Sequence, residues 1–204
     1  VFDAIAETGA SAELALAVDE DILCVNVESE PELELLSQIA AGKGRSVDIS
    51  IRVNPDVDAR THAKIATGKS ENKFGIPISH AREVYRHAAR LPGLRVSGVD
   101  MHIGSQITEL SPFADAFALL SDFVRELRAD GHTIAHVDLG GGLGIPYRDD
   151  NEPPPHPDAY AELVKRATKD LDCTLVFEPG RLLVGNAGIL LRAYRRGVLV
   201  IGEG

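Results

Sequence analysis

Five times along this chain a short apolar, β-branched run breaks into a polar or glycine-rich turn, and an amphipathic stretch follows. The runs are residues 22–27 (ILCVNV), 47–53 (VDISIRV), 94–103 (LRVSGVDMHI), 133–139 (TIAHVDL) and 173–177 (CTLVF). Neighbouring parallel strands need a long crossover between them, usually a helix, so this alternation predicts a parallel sheet. A first helical stretch covers residues 11–19, before the first run. Beyond that run, Ser29 and Glu32 are spaced as a capping box, with Pro31 in the first turn. Leu33, Leu36 and Ile39 then keep a helical stripe that Gly42 and Gly44 end. Further helices are expected over 78–91 with Ser79 as N-cap, 111–128 with Ser111 as cap and Pro112 in first position, and 159–171. A last helix is read over 181–191, interrupted near Gly185–Asn186, and 198–201 reads as the start of a sixth strand.

The polar residues collect where the strands stop. Asn54, His102, Gly140 and Glu178 recur at steps of 48, 38 and 38 residues. Without an early Gly-x-Gly-x-x-Gly opening a helix, a Rossmann domain is disfavoured. A TIM (β/α)8-barrel of about 250 residues places its chemistry at the C-terminal strand ends. With 204 residues and five to six βα units, the expectation is a partial barrel lacking its first strands, one domain over 1–204. The chain is 44% hydrophobic, enough for a sizeable core, and no apolar run approaches the roughly 18 residues that span a bilayer. The net charge of −10 argues against a nucleic-acid partner. The opening VFDAIAETG has no basic region of a signal peptide, so a cytoplasmic location is expected, and the missing initiator methionine suggests a fragment or a processed chain. Cys24 and Cys173 sit in separate apolar runs and read as reduced core residues. His62, His80, His87, His132, His136 and His156 lack metal-ligand spacing, so no metal is expected. The polar, aperiodic segment 56–71 has the length of a functional lid, and the loop 146–157 is read as solvated.

Gly140, Gly141 and Gly142 follow a strand directly. Three glycines there permit positive φ and let bare backbone approach a guest, and successive N–H groups suit an anion such as phosphate. The alternative is a flexible turn. His102 is either a stacking surface for an aromatic ring or a satisfied core histidine. Glu178 either faces a protonated ring nitrogen or caps the next helix. Arg181 either meets phosphate or pairs with Glu178. Taken together, a phosphorylated pyridine ring requires every one of the functional options, which points to pyridoxal 5′-phosphate (PLP) as cofactor.

The phrases NVESEPEL, RVNPDVD, ENKFGI, DMHIGSQI, HVDLGGGLG, FEPGR and LLVGNAG, in this order, resemble the PLP-dependent decarboxylases of the alanine racemase-like barrel class, diaminopimelate decarboxylases above all. The resemblance runs from about residue 11 to 190. It implies that His102 stacks on the ring, Ser105 lies near the phosphate, and Gly140, Gly141 and Gly142 bind that phosphate by backbone. It further implies that Glu178 pairs with the pyridine nitrogen, that Pro179 and Gly180 line the cofactor, and that Arg181 contacts phosphate or a substrate carboxylate. Lys73 and Arg52 are supporting residues on the same basis. The implied reaction is decarboxylation of meso-diaminopimelate to L-lysine, with a small amino acid as substrate and a homodimer completing the site.

The sequence also departs from the pattern. The family's Schiff-base lysine lies in a motif like YAxKAN, and Lys43, Lys64, Lys69, Lys73, Lys165 and Lys169 stand in other contexts. The C-terminal β-domain of the family is not represented. The expectation is therefore an internal piece of a decarboxylase, inactive by itself. The rivals are a PLP decarboxylase of another basic amino acid, and a degenerate homologue that binds PLP without turnover or serves as an interaction module.

Overall fold

The computed structural model describes residues 2–3, 10–20, 22–57, 74–147, 154–185, 187–188, 190–194 and 197–201. His62, Lys64, Lys69, Lys73, Asn186, nearly all of the expected lid and the middle of the 146–157 loop lie outside them.

In chain order the elements are β1 (Phe2–Asp3), α1 (Ala10–Asp19), β2 (Val25–Val27), α2 (Glu30–Gly42), β3 (Val47–Asn54), β4 (Ile76–Pro77), α3 (Ile78–Ala88) and β5 (Leu94–Asp100). Then come α4 (Ser111–Ala129), β6 (His136–Asp138), α5 (Pro157–Thr168), β7 (Thr174–Val176), α6 (Gly180–Val184), β8 (Leu190–Tyr194) and β9 (Gly197–Ile201). The main sheet runs β1-β2-β3-β5-β6-β7 with every neighbouring pair parallel, and β4 adds to the far end of β3. The expected parallel α/β arrangement is what the chain forms.

Period-2 alternation gives the sheet two unlike faces. Val25, Val27, Ile49, Ile51, Val53, Val99 and Val137 are buried and belong to one apolar cluster with the helices. That cluster takes Leu33, Leu36 and Ala40 from α2, and Phe113, Phe117, Leu120, Val124 and Leu127 from α4, at helical spacing. The intervening strand positions are polar, and pairing aligns them in rows. Asn26, Ser50, Gly98, His136 and Thr174 form one row. One step nearer the C-terminal ends, Arg52, Asp100 and Asp138 form the next. The face away from the helix-packed cluster thus grows charged towards the strand ends.

Local chemistry explains most element ends. Ser29 caps α2 by accepting from the Glu32 N–H at 3.4 Å. Glu32 reaches back to the N–H of Glu28 at 2.7 Å, one residue further than the reciprocal box requires. Two expected caps are corrected. Ser79 is the second residue of α3, whose N-cap is Pro77, fixed in an extended conformation without a side-chain acceptor. Ser111 is the first residue of α4 rather than its cap, and its hydroxyl binds Glu109 at 3.2 Å. The helix read over 181–191 stops at Val184. Gly185 and Gly188 lower helix propensity by about 1 kcal/mol each, and Leu190–Tyr194 instead pairs antiparallel with Gly197–Ile201. The stretch 198–201 is therefore a strand, but of a separate two-stranded sheet. Cys24 and Cys173 are free thiols, the first buried and the second half-buried. Among the described residues no helix is long and apolar enough to cross a membrane.

Candidate cofactor site

Three loops meet at the C-terminal ends of β5, β6 and β7. They carry His102 and Ser105, then Gly140, Gly141 and Gly142, then Glu178, Pro179, Gly180 and Arg181. Backbone hydrogen bonds hold the loops together: Met101 N–H to Asp138 O, Glu178 N–H to Gly140 O, and Ile107 N–H to Gly142 O, at 2.9–3.1 Å. The glycines are required by this packing. Gly140 has φ +63 and a Cβ there would lie 2.6 Å from the Met101 carbonyl oxygen. A Cβ on Gly141 would overlap the Glu178 carbonyl oxygen, and one on Gly142, at φ +100, the Gly104 carbonyl oxygen. Gly140 and Gly141 each touch both the loop after β5 and the loop after β7, and Gly142 packs on the loop after β5.

The same backbone orients side chains. The Gly140 N–H donates to Asp138 Oδ1 at 2.9 Å, and the Gly141 N–H donates to His102 Nδ1 at 3.2 Å. A ring nitrogen that accepts carries no proton, so neutral His102 holds its proton on Nε2 and its ring orientation is set by the glycine turn. Two of the three glycine N–H groups are thus engaged inside the protein, which narrows the expected backbone anion site to the face the turn leaves open.

Register brings acids together. Asp100 and Asp138 are paired across β5 and β6, and carboxylate oxygens of Asp100, Asp138 and Glu178 all lie within 4.8 Å of one another. Asp100 and Asp138 are buried, and Glu178 is half-buried at their open side. Arg52 offsets part of this charge, with Nε 3.9 Å from Asp100 Oδ2 and Nη1 2.5 Å from Glu28 Oε1. Such a cluster favours a cationic guest, a protonated nitrogen or a metal ion. Asp100 and Asp138 were not singled out in the sequence. The available signal was their position two residues before His102 and before Gly140, on the polar face of their strands.

Arg181 stands apart from the acids. Among the described residues it forms no ion pair, so the alternative in which it neutralises Glu178 is set aside. Its Nη1 donates to Gln106 Oε1 at 3.4 Å and its guanidinium lies 5.7 Å from the Tyr147 ring centre. Gly140, Gly141, Gly142, Pro179, Gly180 and Arg181 all line one open pocket. His102, Ser105 and Glu178 do not line it; His102 and Glu178 join it through their hydrogen bonds to the glycine backbone. Tyr160 and Phe177 form another part of its wall, and burial, with the Asp138 charge second, pushes the Tyr160 hydroxyl up to about 12, so it stays protonated as a donor at neutral pH. Tyr160 carries no recognisable motif in the sequence.

The donor set fits a phosphorylated pyridine ring: a glycine turn with no room for side chains, an arginine that no acid pairs among the described residues, a carboxylate cluster and an oriented imidazole. Comparison with known proteins agrees. Residues 5–185 match the family model described as "Pyridoxal-dependent decarboxylase, pyridoxal binding domain". The diaminopimelate decarboxylase of Pseudomonas aeruginosa is 50% identical over 191 residues and that of Vibrio cholerae 49% over 192, in each case 94% of this chain and 45% of the relative. The chain therefore spans about half the length of these relatives. Among solved structures, diaminopimelate decarboxylase from Helicobacter pylori complexed with L-lysine superposes with a TM-score of 0.85 at 34% identity, covering 100% of this chain and 52% of that one.

Proposed function

This chain belongs to the pyridoxal-dependent decarboxylases and contains their pyridoxal-binding domain, and from that premise we propose that the protein decarboxylates meso-diaminopimelate to L-lysine with PLP as cofactor. The observation that carries the reading is the direct hydrogen bonding of His102 and Glu178 to the Gly140–Gly142 backbone, beside a pocket that these glycines and Arg181 line. The two named relatives are diaminopimelate decarboxylases at 49–50% identity, which favours this substrate over other basic amino acids.

Bound PLP supplies the electron sink that takes up the pair left behind when CO2 departs. The chain's own residues set up that chemistry. The open face of the glycine turn and the Pro179–Gly180 backbone receive the phosphate. Ser105 would lie near it on the family resemblance. His102, fixed by the Gly141 N–H, offers a flat face to the ring. Glu178, backed by Asp100 and Asp138, would hold a proton on the pyridine nitrogen. Arg181, which forms no ion pair among the described residues, brings positive charge to an oxyanion, phosphate or substrate carboxylate. Arg52 anchors Glu28 and Asp100 at the rim, and Lys73 is a supporting residue on resemblance. A cytoplasmic enzyme acting on a free amino acid, assembled as a homodimer, completes the proposal.

The test is release of CO2 and formation of lysine by the protein expressed from its complete reading frame. Turnover of meso-diaminopimelate ahead of ornithine and arginine supports the proposal. Preference for ornithine or arginine replaces the substrate, and PLP binding without any turnover favours a non-catalytic homologue.

A further inference from the structure

Gln106 has an unusual backbone. Its φ of +58 is left-handed, a region in which residues other than glycine, asparagine and aspartate are uncommon. Strain of this kind persists only where surrounding structure requires it. Here the requirement is visible. The loops after β5 and β6 run side by side, with Ile107 bridged in parallel to Leu143 and the Gly144 N–H donating to Ile107 O at 3.0 Å. The turn at Gln106 sends its amide across to Ile145. Nε2 donates to Ile145 O at 2.5 Å, and the Ile145 N–H donates to Oε1 at 3.2 Å. Gly144 makes the space, since a Cβ there would press on the Gln106 amide at 3.3 Å.

This pairing fixes which end of the amide is which. Because Ile145 presents both a donor and an acceptor, Oε1 must point towards its N–H and therefore towards Arg181, whose Nη1 it accepts at 3.4 Å. Among the described residues, the other neighbour of the guanidinium is the Tyr147 ring, 5.7 Å away. Both groups are neutral. They hold the cation in place without neutralising it.

We propose that Gln106 is a positioning residue that aims Arg181 into the pocket and keeps its charge available for an oxyanion of the bound cofactor or substrate. The inference rests on the cofactor reading above. It explains why an amide occupies this position rather than an acid. A carboxylate of the same length would face the Ile145 carbonyl with no proton to give, and it would form an ion pair with Arg181. A leucine would leave the guanidinium and the Ile145 N–H and C=O without this partner.

The test compares wild type, Gln106→Glu and Gln106→Leu, expressed from the complete reading frame. Binding of PLP and of pyridoxal, which lacks the phosphate, is titrated by absorbance, and KM and kcat are measured with meso-diaminopimelate. Charge-assisted hydrogen bonds are worth about 1.5–3 kcal/mol, so each variant is expected to lose roughly tenfold or more in one anion-dependent affinity. If Arg181 meets the phosphate, PLP binding weakens and pyridoxal binding does not. If it meets the substrate carboxylate, KM rises by that factor, kcat changes less and PLP affinity holds. Either result supports the proposal. The Gln106→Glu variant keeps size and shape, so a fault in folding is not expected to mask the effect. PLP affinity and KM both within twofold of wild type in Gln106→Glu would overturn the role of Gln106. Failure of wild type to bind PLP at all would instead overturn the cofactor reading.

Discussion

Gly141 has an ordinary φ, so its need for glycine is one of space: an added methyl meets the Glu178 carbonyl. Gly180, two residues beyond Glu178, has nothing within 4 Å of the same position. The two alanine variants should therefore separate. Gly141→Ala is expected to cost about 1–3 kcal/mol of stability through forced displacement of the loop after β7, and to weaken PLP binding with it. Gly180→Ala should stay within about 0.5 kcal/mol. Urea denaturation followed by circular dichroism, with PLP titration alongside, measures both. Equal effects would mean that the glycines serve only backbone conformation. The sequence carried the glycine run, His102, Glu178 and Arg181, because motifs at strand ends are contiguous and survive without a model of the fold. It did not carry Asp100, Asp138, Gln106 or Tyr160. Their place at the candidate site comes from register and from loops meeting across the sheet, and neither is encoded in local spacing.

At the scale of elements, β5 acts as a saddle between β3 and β6. Gly98 lacks a side chain, and through that gap His136 of β6 reaches Ser50 of β3, Nε2 to Oγ at 2.8 Å. A Cβ on Gly98 would overlap the imidazole of His136. Burial lowers the tendency of His136 to protonate below its ordinary value of 6.5, against the opposing charges of Asp48 and Asp138. The sign follows by linkage. The neutral ring belongs to the folded state, while the unfolded chain takes up a proton near 6.5, so this contribution is complete above that pH and is lost as pH falls below it. His132 is shifted in the same direction and adds to the effect. The midpoint of urea unfolding is expected to fall between pH 7.5 and 5.5, and by less in His136→Asn. An identical fall in the variant would remove His136 from the account. The inner strands β2, β3, β5, β6 and β7 are legible in the sequence as apolar, β-branched runs; the two-residue β1 and β4 are not, β8 falls in a stretch that reads as helix, and α3, α4, α5 and the end of α6 are displaced by a residue or more. There proline position and paired glycines outweighed the serine and leucine signals that sequence reading relies on.

The molecule as a whole is a row of six parallel strands whose outer members, β1 and β7, have one strand neighbour each among the described residues. Leu175 and Val176 of β7 are only half-buried, and Phe177 just beyond is 44% exposed. Open, apolar parallel edges invite pairing with other chains. The 204-residue chain purified by itself is therefore expected to self-associate in light scattering, and a monodisperse monomer with a single cooperative unfolding transition would contradict this. One end of this sheet gathers a histidine, a glycine turn, an acid cluster and an arginine, a set proposed above to receive a single phosphorylated ring. A crystal structure of the protein with PLP tests that proposal most directly. The account predicts the phosphate against Gly140–Gly142 and Pro179–Gly180, the ring over His102 and its nitrogen within hydrogen-bonding distance of Glu178. PLP bound at another rim, or with its ring nitrogen turned away from Glu178, would contradict it.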